Sequence, residues 1–131
     1  MNAPADHRAL LTSWVYVCRA DDIVANTGVC ARVGDEQVAV FRLVDPRTGE
    51  QSLFGLHNID PRSGAAVLAR GLLGDIGGEP AVASPLYKQH YALRDGRCLE
   101  DEQLSIAAYP VRVADGLVLV RRQPLATGEQ A

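Results

Sequence analysis

The sequence predicts an all-β domain, an antiparallel β sandwich or barrel with at most one short helix. Three observations predict it. Short runs of β-branched and aromatic residues recur along the chain. Turn-forming pairs punctuate them, among them Gly34-Asp35, Asp95-Gly96 and Asp115-Gly116. Only one stretch has the composition of a helix, and it is short.

Residues 14–18 (WVYVC) are aromatic and β-branched, as strands prefer. Residues 30–33 (CARV) follow, then the Gly34-Asp35 turn and a longer run over 37–44 (QVAVFRLV). In that run Ala39, Phe41 and Leu43 share one face. Val38, Val40 and Arg42 share the other, so the first set is the better candidate for the core. A turn over 45–49 (DPRTG) leads to a strand over 51–57 (QSLFGLH). Residues 79–83 (EPAVA) and 89–93 (QHYAL) are short strands, and Asp95-Gly96 marks a hairpin turn. Asp115-Gly116 joins 109–113 to 117–120 in a terminal hairpin. The helical candidate, 63–70 (SGAAVLAR), amounts to one or two turns before a glycine-rich stretch over 70–78. One domain over 13–121 results, with a flexible lead over 1–12 and a flexible tail over 122–131.

The 131 residues are enough for one domain with its own core. Hydrophobic residues make up 47% and charged residues 22%, which is ordinary for a globular protein. A formal net charge of −3 leaves no basic excess to neutralise phosphates, so no nucleic-acid partner is expected. No apolar run approaches the roughly 20 residues of a membrane-spanning helix, and no membrane partner is expected. The polar opening has no charged-then-apolar signal architecture, so a cytoplasmic protein is expected. Cys18, Cys30 and Cys98 form no CxxC, and their odd number does not suggest a disulfide framework. Each lies among apolar neighbours and is expected as a buried thiol.

Two polar, turn-rich segments stand between strands: 57–64 (HNIDPRSG) and 84–91 (SPLYKQHY). The second resembles the second box of Rieske domains, Cys-Pro-x-His-Gly-x-x-Phe. Ser84 falls at the cysteine, Tyr87 at the histidine and Tyr91 at the aromatic place, and Pro85 is kept. In the first segment Asn58-Ile59-Asp60 occupies the Cys-x-His positions. A Rieske cluster takes two thiolates on one iron and two imidazoles on the other. None of Asn58, Asp60, Ser84 and Tyr87 supplies either.

From about Trp14 to Val120 the wording resembles the small-subunit family of bacterial assimilatory NADH-dependent nitrite reductases. The resemblance implies a Rieske-like fold without its cluster, an antiparallel β sandwich or incomplete barrel with a small loop subdomain, and a chain holding no cofactor, metal or catalytic residue. It also implies a large-subunit partner that carries FAD, siroheme and a 4Fe–4S cluster and reduces nitrite to ammonium with NADH. With the ligands gone, recognition of that partner is the use left to the loops. The expected docking tip is Asn58, Asp60, Arg62, Ser84, Tyr87, Lys88 and His90. Tyr87 and Arg62 come first, because aromatic and arginine anchors dominate interfaces.

Rival readings have less support. His57, Asp60, Tyr87 and His90 could in principle ligate one metal ion, but His57 precedes its box and His90 follows strand alternation. Asp60, before Pro61, is expected to hold its loop by an Asx turn. Ser13, Ser52, Ser63, Ser84 and Ser105 lack a nucleophile elbow, so a free-standing enzyme has no convergent group. The glycines over 71–78 lack the Lys-Ser/Thr of a phosphate loop. An electron-transfer protein with a real metal centre meets the missing thiolates. Arg62, Arg70, Lys88, Arg94 and Arg97 read equally as a solvated face or a docking surface.

Overall fold

The computed structural model describes residues 13–126 and Glu129. Ten strands follow in chain order: β1 (Trp14–Arg19), β2 (Thr27–Val33), β3 (Glu36–Val44), β4 (Gln51–His57), β5 (Leu72–Ile76), β6 (Glu79–Ala83), β7 (His90–Ala92), β8 (Ala108–Tyr109), β9 (Val111–Ala114) and β10 (Leu117–Arg121). They form three antiparallel sheets in the orders β2-β3-β4-β8, β1-β10-β9 and β5-β6-β7. The four-stranded sheet is the middle layer. Val38 and Val40 of β3 pack with Val118 and Val120 of β10 and with Ile23 on one side. Ala39 and Phe41 pack with Leu56, Leu68, Val82 and Tyr91 on the other.

This layering corrects the expectation that Val38 and Val40 face away from the core. All four residues from Val38 to Phe41 are fully buried, because a sheet of the same chain covers each face of β3. Arg42 closes the buried run, its Nη1 donating to the Ile23 carbonyl at 2.9 Å. In β2 the core side belongs to Ala31 and Val33, which leaves Cys30 outward and exposed, contrary to expectation. Cys98 is buried and Cys18 half-buried. Burial, with Asp22 beside it, pushes the Cys18 thiol pKa up.

Other elements depart from the sequence reading for local reasons. The helical candidate shrinks to a 3-10 turn at Leu68–Arg70, and a second such turn lies at Ala20–Asp22. The glycine-rich stretch after Arg70 is a strand, β5, whose hairpin with β6 turns at Gly77-Gly78. Glycines hid it, yet Leu73 still packs on the core. The run over 109–113 divides at Pro110, which has no N–H for a ladder. Tyr109 pairs with Gly55 in the middle sheet, and Val111 with Val120 in the outer one. The Asp115-Gly116 turn stands as expected, with both residues at positive φ (52° and 78°).

Beyond β10, the Leu125 N–H donates to the Ala108 carbonyl at 2.7 Å and its side chain packs on the core. Arg121 forks onto the Glu129 carboxylate at 2.8 and 2.9 Å, holding that group down to about 2. The lead over 1–12 lies outside the described residues, as do 127, 128, 130 and 131. Among the described residues no helix is long and apolar enough to cross a membrane.

Candidate functional site

The loop after β4 is built around two buried polar side chains. Asn58 is 3% exposed, and its Oδ1 accepts the Ala69 N–H at 2.8 Å while Nδ2 donates to Gln37 Oε1 at 3.2 Å. It thereby ties the end of β4 to β3 and to the Leu68–Arg70 turn. Asp60 is fully buried, and its Oδ1 accepts the Arg62 N–H at 2.8 Å, the Asx turn that Pro61 leads one to expect. Its own N–H donates to Ala65, and its carbonyl accepts from Gly64, each at 2.8 Å.

The loop between β6 and β7 closes on itself in a similar way. Ser84 donates its N–H to the Gln89 carbonyl at 2.9 Å and accepts the Lys88 N–H at 3.0 Å. Its hydroxyl, fully buried, donates to Asp60 Oδ2. A charge-assisted hydrogen bond therefore joins the two loops, between the residues that the sequence leads one to expect at a cluster-histidine and a cluster-cysteine position.

The outward side chains are different ones. Tyr87 is 56% exposed and Leu86 51%. The Arg62 guanidinium lies 5.9 Å from the Tyr87 ring centroid, linking the loops a second time at the surface. Lys88 is exposed beside them. His90 is half-buried and engaged: its N–H donates to Glu100 Oε1 at 2.7 Å and its Nδ1 lies 2.5 Å from Oε2. Burial works to raise the Glu100 pKa, but these contacts with His90 outweigh it and hold the carboxyl below its usual value. His57 sits 3.3 Å from Glu36.

Behind the loops Tyr91 is fully buried, and among the described residues its hydroxyl has no hydrogen-bond partner. Burial, then the Asp60 charge, pushes its phenol up to about 12. Gln89 Oε1 is buried and unpartnered as well.

Of the seven residues expected at the tip, the structure brings Asn58, Asp60 and Ser84 together as internal struts and turns Arg62, Tyr87 and Lys88 outward. His90 stands at the margin, bonded to Glu100. The set does not fit a Rieske cluster. The Asn58 amide is spent on Gln37 and the backbone, the Asp60 carboxylate and Ser84 hydroxyl on each other, and Tyr87 is exposed. Among the described residues no three His, Cys, Asp or Glu side chains are grouped to hold a metal ion. Sequence reasoning did not foresee the Asp60–Ser84 bond. The signal was present in a donor and an acceptor at two positions that the fold brings together.

Residues 13–121 match the Rieske-like 2Fe-2S domain family. The nitrite reductase (NADH) small subunit of Escherichia coli strain K12 is 50% identical over 111 residues, 85% of this chain and 99% of that one. The NAD(P)H nitrite reductase large subunit of Klebsiella oxytoca contains a segment 44% identical over 118 residues, 90% of this chain but 12% of that protein. The NMR structure of Escherichia coli NirD superposes with a TM-score of 0.74 at 49% identity, covering 82% of this chain and 94% of that one.

Proposed function

The chain belongs to the small-subunit family of NADH-dependent nitrite reductases, built on a Rieske-like domain, and from that premise we propose that it serves the large subunit as a cofactor-free, non-catalytic accessory. The observation that carries this reading is the Asp60–Ser84 bond, which spans the two loops where a cluster would need thiolates and imidazoles. FAD, siroheme, the 4Fe–4S cluster and the NADH site then belong to the large subunit, and the pair works in the cytoplasm, where NADH is supplied.

Arg62, Tyr87 and Lys88 form the docking tip, with His90 at its margin. Asn58, Asp60 and Ser84 position it from within. A large-subunit chain that contains this domain as one of its own segments supports the partnership, since fusion keeps interacting domains at high effective concentration.

The test is NADH-dependent nitrite reduction by the large subunit, expressed with and without this chain. Co-purification and a large loss of activity without the chain are expected. The purified chain should show no visible absorption from iron and sulfur. Full activity without it, and no association, would overturn the accessory role. A coloured, iron-containing chain would instead favour the electron-transfer reading. Tyr87→Ala with Arg62→Ala should weaken association about tenfold or more, and unchanged association would remove the tip assignment.

A further inference from the structure

Lys88 holds a left-handed backbone conformation, φ 63°, which glycine enters freely and a lysine only under constraint. The constraint is the closed turn from Ser84 to Gln89, in which the Lys88 N–H reaches the Ser84 carbonyl at 3.0 Å. In the box pattern this position, directly after the histidine place, is glycine. Among the described residues the other non-glycines at positive φ are Asn26 and Asp115, types that enter this region readily. Lys88 is the unusual one. Its side chain is exposed and makes no hydrogen bond or ion pair among the described residues, so the fold gains nothing visible from a lysine there. A strained residue whose side chain does no work inside the domain points to work outside it.

The charge carried by the two loops themselves is one-sided, although the acidic run from Glu100 to Glu102 adjoins His90. The two loops, 58–70 and 84–90, carry Arg62, Arg70 and Lys88 against one carboxylate, Asp60, which is fully buried. None of the three cations has an ion pair among the described residues, and the neighbouring Glu100 is taken up by His90. In a chain of net charge −3 these two loops are thus cationic, and they expose Leu86 and Tyr87 next to Lys88, with Arg62 over the Tyr87 ring. Such a surface complements an acidic one with an apolar centre.

We propose that this tip docks on an acidic surface of the large subunit, and that Lys88 is kept in its strained conformation so that its ammonium meets a carboxylate there. The proposal rests on the tip being the docking site, and the test separates the two. Binding of the full chain to the purified large subunit is measured for the wild type, Lys88→Gly, Lys88→Glu and Tyr87→Ala, with each variant's melting temperature. Lys88→Gly relieves the backbone, so it should melt at or above the wild type and yet bind about tenfold more weakly. Lys88→Glu should bind more weakly still. Wild-type affinity should fall as salt rises from about 50 to 300 mM. A Lys88→Gly chain that binds like the wild type, or a Lys88→Glu chain no weaker than Lys88→Gly, overturns the inference. If Tyr87→Ala weakens binding while the Lys88 variants do not, the docking tip stands and only this inference falls. If the wild type does not bind, the accessory reading itself fails.

Discussion

Asp60 and Ser84 show how two residues that are neither thiolate nor imidazole can hold two loops together. A fully buried carboxylate is tolerable only if its oxygens are satisfied, and here the Ser84 hydroxyl and the Arg62 N–H satisfy them. Ser84→Ala leaves that carboxylate short of a donor and should cost about 2–3 kcal/mol in urea unfolding. Asp60→Ala should cost a similar amount. The double variant should cost less than the sum of the two, because the second change removes a group already orphaned. Tyr91 sets the opposite case. Its hydroxyl is buried without a partner, so Tyr91→Phe should leave stability unchanged or raise it by up to about 1 kcal/mol. Its pH dependence has a definite sign. The folded state holds the phenolic proton more tightly, about 12 against the usual 10, so its contribution is full below pH 10. It is lost as pH rises toward 12, and wild-type stability should fall faster than that of Tyr91→Phe across that window.

At the scale of elements, β3 separates what alternation can tell from what it cannot. Alternation assigns Val40 and Phe41 to opposite faces, and the two residues pack into separate cores. Which faces are buried depends on β10 and β6, far away in sequence. Phe41→Ala should cost about 3–5 kcal/mol. Val40→Ala should cost about 1.5–3 kcal/mol, where a solvent-facing valine would cost almost nothing. Two glycines give a second contrast. A Cβ on Gly96, at φ 81°, would lie 1.9 Å from the Ile106 carbonyl oxygen, so Gly96→Ala should cost about 3 kcal/mol or more. A Cβ on Gly74 meets nothing within 4 Å, so Gly74→Ala in β5 should be neutral or gain about 0.5–1 kcal/mol. Thermal melts of the two variants check both.

At the scale of the molecule, the middle sheet serves two cores at once, and the small sheet carries the loop from Ser84 to Gln89 between β6 and β7. The stretch after β10 joins this body through Leu125, so a chain ending at Arg121 should lose about 1–2 kcal/mol of stability. Most strands and turns were legible in the sequence, because pleat alternation and turn chemistry act between near neighbours. Asp115-Gly116 needs only its own backbone preferences to make a turn. β5 escaped because glycines carry no alternation to read, and β8 and β9 merged because the consequence of Pro110 depends on which sheet receives each half.

The sequence by itself determined the β class and the absence of thiolate and imidazole donors at the box positions, since donor chemistry belongs to the residue type. Tertiary structure alone decided which residues of the two loops are buried and which are exposed. Asp60 and Ser84 are 24 positions apart, and only the folded chain brings them into contact, burying them and leaving Arg62, Tyr87 and Lys88 at the surface. Burial is set by what packs above a residue, and nothing local in the sequence specifies that.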